Sequence, residues 1–125
     1  MIDATVQPTQ MSRAIVHAES RSSAAIHCRE ASERAAEWEK RAKTVEHQIK
    51  GEIASAVGDD GKPVFSNAEK REAEFCVRCE ADPELIAARA AAERERNAAA
   101  RSAIEADFHR DMVSIYVAFA KAEGE

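Results

Sequence analysis

Large side chains are what this sequence has least of: four phenylalanines, one tyrosine and one tryptophan, 5% of its 125 residues. Its 45% hydrophobic fraction is dominated by alanine, whose burial removes little surface from water. A thick globular core is therefore excluded, and thin helices in close contact are not. Only four glycines and three prolines interrupt a chain in which 33% of residues are charged, which is the composition of long helices. No run of about 18 apolar residues occurs, so a membrane-spanning helix is not expected. The opening "MIDATVQPTQ" lacks the basic flank and apolar core of an export signal. Three cysteines, Cys28, Cys76 and Cys79, are an odd number in helical surroundings and make no disulfide framework. Reduced thiols in the cytoplasm are the expectation. A basic block is missing as well. The 18 basic and 23 acidic residues alternate and sum to −5, which suits solvated helix faces and argues against a dominant nucleic-acid groove.

What is present is helical periodicity. Residues 1–9 read as a loose arm in which Pro8 leads into a helix and Thr9 caps it. The first arm, residues 10–57, contains no proline and a single glycine, Gly51. Its small and apolar residues step by three and four from Met11, Ile15, Ala18, Ser22 and Ala25 through Cys28, Ser32 and Ala35 to Ala42, Val45, Ile49, Ile53 and Ala56. That spacing predicts one continuous helix with heptad character, about 70 Å long. Residues 58–65 read as a turn, with Gly58 as a left-handed cap and "DDG" reversing the chain. The second arm, residues 66–125, opens on Ser66 and Glu69 in capping-box spacing. It meets a second stop at "EADPEL", where Asp82 is a natural N-cap and Pro83 suits the first helical position. The helix is either interrupted or bent there.

The fold class predicted is all-α: a long antiparallel helical hairpin, coiled-coil-like, forming one domain. Folding the arms about Lys62 places residue i roughly opposite 124 minus i. Large residues then face large residues: Ile49 and Ile53 meet Phe75, Trp38 meets Leu85 and Ile86, and Ile15 meets Phe108 and Met112.

Candidate chemistry is sparse. "GDDGKP" is not a phosphate loop, because only two residues separate Gly58 from Gly61, Pro63 stands where Ser or Thr should bind magnesium, and no strand precedes. Asp59 and Asp60 fall short of the oxygens calcium needs. Cys76 and Cys79 form a C-x-x-C that the fold-back brings near His47, one ligand short of structural zinc, so they read as thiols without a metal. His17 approaches His109 beside Glu105, Asp107 and Asp111, a cluster with no pocket around it. No cofactor is implied, and a rod without clefts does not exclude water as an enzyme must.

Near the C-terminus, Met112, Val113, Ile115, Tyr116, Val117 and Phe119 surround the helix instead of lining one stripe, so one partner arm does not cover them. Ile2 and Val6 of the N-terminal arm are too few to do so, and a self-association or partner surface is the reading. Around the turn, Asp59, Gly61, Lys62, Phe65, Ser66, Asn67, Glu69, Lys70 and Arg71, followed by "DPEL", resemble a pattern in small coiled-coil proteins of phage and prophage genomes. The resemblance implies a helical hairpin of phage-like origin and no particular activity.

Together these features predict a non-enzymatic structural or protein-interaction module, assembled through its C-terminal apolar section into a dimer or higher bundle. Two alternatives stand beside it. One is an accessory of phage DNA metabolism that contacts nucleic acid through Arg89, Arg94, Arg96 and Arg101; the other is an acidic rod that inhibits a host protein complex.

Overall fold

The computed structural model describes residues 8–125; of the expected arm over residues 1–9 only Pro8 and Thr9 fall within that range, and Ile2 and Val6 lie outside the described residues. Three helices follow one another: α1 (Gln10–Ser55), α2 (Ala68–Ala81) and α3 (Pro83–Ala122). Within the described residues the chain is otherwise turn and bend, with a single isolated bridge between Val57 and Pro63.

Local chemistry accounts for each boundary. Thr9 caps α1: its Oγ1 accepts from the Ser12 amide at 3.0 Å, and its carbonyl accepts from Arg13 N at 3.1 Å. At the far end the Ser55 hydroxyl donates back to the Gly51 carbonyl at 2.8 Å. The corner then closes on itself, with Gly58 N donating to the Lys62 carbonyl at 2.8 Å and Val64 N to Ala56 at 3.0 Å. Gly61, not Gly58, has the left-handed backbone, at φ 76°. The reversal is therefore made by Gly61 two residues before Pro63, and Gly58 supplies it with its amide and with its carbonyl, which accepts from Gly61 N at 2.9 Å. Asp60 Oδ1 accepts from Lys62 N at 3.0 Å and holds the turn from inside.

The cap of α2 is Asn67 and not Ser66. Asn67 has extended backbone (φ −139°, ψ 168°), and its Oδ1 accepts from Lys70 N at 2.8 Å. Asparagine is as good a cap as serine, and the helix starts one residue later than the capping-box spacing indicates. Replacing Asn67 with alanine is expected to cost about 1 kcal/mol in a denaturant titration, and Ser66→Ala is expected to leave the midpoint unchanged. A loss at Ser66 with none at Asn67 would reverse the assignment.

Asp82 decides the second stop in favour of an interruption. Its backbone is extended (φ −78°, ψ 114°), its Oδ1 accepts from Leu85 N at 2.9 Å, and Pro83 takes the first position of α3. Two helices result, not one bent helix.

The chain forms two compact units, and in each the arms run antiparallel. One unit, Glu33–Arg96, contains the second half of α1, all of α2 and the start of α3. Its core is Ala42, Val45, Ile49 and Ile53 of α1, Cys79 of α2, and Leu85 and Ala88 of α3, with Trp38, Phe65 and Phe75 packed against it. Arg34–Glu95 (2.9 Å), Arg89–Glu46 (2.8 Å) and Arg96–Glu39 pairs flank it. Glu46 faces both Cys79 and Arg89, so the stretch between them gains no ground along α1. The redirection at Asp82 is the cause, and it moves the partner of Arg89 about three turns along α1 from the simple fold-back position.

The other unit joins the chain as far as Ser32 to Asn97–Glu125. Its ends meet where Gln10 Nε2 donates to Glu123 Oε1 at 3.2 Å and Met11 N to Glu125 Oε1 at 3.4 Å. Here the predicted stripe is on the wrong face. Met11 and Ile15 are 41% and 55% exposed, and Ala18, Ser22 and Ala25 are exposed too, while Ala14, Ala24 and Ala31 are buried and His17 half-buried. Small residues let the α3 backbone come close, and that contact rotates α1 away from its larger side chains. In the other unit the stripe through Ala42, Val45, Ile49 and Ile53 is the buried one.

Candidate functional site

The apolar C-terminal section divides into a seam and an outer face. Val113 and Tyr116, at three-and-four spacing with the buried Ala120, belong to the half-buried side of α3, as do Met112 and Val117. Ile115 and Phe119 are 42% and 51% exposed. They continue a face that begins further back with Ile104 and Phe108, 71% and 54% exposed, because steps of four, seven and four residues return to one side of a helix. Sequence reading missed Ile104 and placed Phe108 in the seam opposite Ile15, whereas both Phe108 and Ile15 are more than half exposed. The densely apolar stretch after Asp111 concealed a sparser stripe whose period was nonetheless present.

Beside that face sits the most structured polar cluster in this unit. His17 of α1 and His109 of α3 bring their Nδ1 atoms to 2.7 Å, so one ring donates to the other. The Tyr116 ring stacks on His17 at 5.6 Å and 17°, and Phe108 meets the His17 and His109 rings edge-on at 6.0 and 5.1 Å. The Arg13 guanidinium lies 5.9 Å from the centre of the Tyr116 ring. Behind His109, Glu105 Oε1 is 3.8 Å from Nε2. Asp107 and Asp111, grouped with this cluster by sequence, pair instead with Arg110, each at 3.3 Å.

In the other unit the C-x-x-C splits between two environments: Cys79 is buried and Cys76 exposed. Burial pushes the Cys79 thiol above its ordinary range, against the opposing pull of Arg89. It is a packed, protonated thiol and a poor nucleophile or ligand. His47 is exposed, and no group of three His, Cys, Asp or Glu side chains among the described residues is placed to hold a metal.

The four arginines that might contact nucleic acid are unequal. Arg89 and Arg96 are engaged by Glu46 and Glu39, and the hydrogen bond that Arg89 donates to Glu46 raises the Arg89 pKa further. Arg94 and Arg101 are exposed and form no ion pair among the described residues. A shallow groove of about 340 Å³ lies over Ile53, Ala54, Ala68 and Phe75, rimmed by Lys50, Arg71 and Glu72. No described helix is long and apolar enough to cross a membrane. No protein-family model, curated protein or solved structure matches the chain.

Proposed function

We propose that this chain is a non-enzymatic helical interaction module that self-associates through the outer face of α3. The observation that supports it is the row Ile104, Phe108, Ile115 and Phe119, four large apolar side chains on one side of one helix, all more than two-fifths exposed. A contiguous apolar row of this kind marks an association surface more often than a solvated one. Two copies laid face to face would cover it with the same residues, as a two-fold interface requires.

This reading stands ahead of nucleic-acid binding because two of the four candidate arginines are already neutralised by glutamates and the chain carries a net −5. It stands ahead of inhibition of a host complex because it needs no partner beyond a second copy.

The test is molar mass in solution by light scattering across a range of concentrations. The wild-type chain is expected as a dimer or larger assembly, and the double variant Ile104→Glu, Phe119→Glu as a helical monomer of 13.7 kDa. A wild-type chain that stays at 13.7 kDa at every concentration, or an assembly indifferent to both substitutions, would sink the proposal.

A further inference from the structure

We infer that His17 and His109 form a divalent transition-metal clamp that ties the start of α1 to the end of α3. The two Nδ1 atoms face each other at 2.7 Å across the helix pair, with no backbone between them. In the metal-free form only one of the two carries the hydrogen, so the other already presents a lone pair to the same point. An ion bound to both at roughly 2.0 to 2.1 Å separates the nitrogens to about 3.3 Å in tetrahedral geometry, an opening of about half an ångström. Rotation of two half-buried side chains supplies that without moving a helix. The ring that carries its hydrogen on Nδ1 gives it up to solvent and takes one on Nε2 as the ion enters, so both rings bind as neutral imidazoles with no net proton released.

Two further observations distinguish this pair from an ordinary polar contact. The rings are held in orientation from both sides, His17 by the stacked Tyr116 and both rings by the edge-on Phe108. And Glu105 Oε1 lies 3.8 Å from the distal nitrogen of His109, beyond a hydrogen bond in the metal-free form but near enough for a small side-chain rotation to let it accept from the Nε2 hydrogen of a metal-bound ring. Imidazole ligands select the zinc, nickel and copper group over magnesium or calcium. No third His, Cys, Asp or Glu side chain among the described residues converges on the pair, so water completes the coordination sphere.

Titration of the full chain with nickel chloride or zinc chloride in a calorimeter tests the clamp. One ion per chain is expected, with a melting temperature that rises on adding the ion and falls back with a chelator. His17→Gln and His109→Gln are each expected to abolish saturable binding, Glu105→Gln to weaken it about tenfold, and His27→Gln and Cys76→Ser to bind as the wild type. Circular dichroism without metal establishes that the glutamine variants are helical. If one is not, the wild-type melting curve still decides. A melting temperature unmoved by the ion means a hydrogen bond only, and binding that survives both histidine substitutions means the ion sits on the thiols; either result overturns the clamp.

Discussion

Leu85→Ala is expected to lower the stability of the chain by about 3 kcal/mol, the largest single-site loss it offers. Leu85 has no exposed surface and is the largest fully buried side chain among the described residues. It sits where α3 begins, among Ala42, Val45, Ile49, Ile53, Cys79 and Ala88. Truncation removes the transfer free energy of the missing carbons and leaves a cavity beside it. Collapse is poor here, because Ala42 and Ala88 are too short to reach into the space and the ends of α2 and α3 are fixed by Asp82. The neighbouring Ile86→Ala, at a side chain 50% exposed, is the control and is expected to lose less than about 1 kcal/mol. Urea midpoints read at constant slope give both values, and equal losses would show that Leu85 is not the centre of that core.

Ala92→Leu is expected to be nearly as damaging for the opposite reason, by about 2 kcal/mol. Ala92 is 2% exposed and lies with Ala42 between the Arg89–Glu46 and Arg96–Glu39 pairs. Its neighbours Ala88, Ala91 and Ala99 are buried as well, so α3 approaches α1 through a run of methyl groups. A leucine there must push the helices apart or take a strained rotamer, and moving them pulls on both ion pairs. By helix propensity leucine is almost as good as alanine, so the loss measures packing and not helix formation. Ala90→Leu, on the exposed side of the same turn, is expected to be neutral, and a stabilised Ala92→Leu would show that the contact is loose.

Most of the architecture could be read without coordinates because breaks and caps are local. Pro8 and Thr9, Asp82 and Pro83, and the glycines of the corner each act through atoms within four residues, and sequence located these breaks well while assigning the left-handed position to Gly58 instead of Gly61 and the α2 cap to Ser66 instead of Asn67. The buried stripe from Ala35 to Ile53 was legible for another reason: its branched side chains are both the most apolar and the most buried. Toward Gln10 that coincidence fails. When a seam is built from alanine and histidine, ranking positions by hydrophobicity selects Met11 and Ile15, which are exposed, and passes over Ala14 and His17, which are not. Packing of small residues depends on how near the partner backbone comes, a non-local quantity. The fold-back failed similarly at Arg89, since one extended residue at Asp82 redirects the chain and sequence does not say by how much. His17 and His109 were brought near each other by that same fold-back, although Gln10–Glu123 and Met11–Glu125 at the same end depart from it about as far as Arg89 does.

Sequence separation gives the two units different entropic standing. Joining His17 to His109 from an open chain closes a loop between residues 92 positions apart, while Glu46 and Arg89 are 43 apart. Once Glu33–Arg96 is ordered, the segment free to wander between the histidines shrinks by roughly threefold, and the closure cost falls by about 1 kcal/mol. The remote ends of the chain thus borrow their proximity from the middle. A defect at Leu85 therefore weakens the His17–His109 closure through the connectivity of the polypeptide alone.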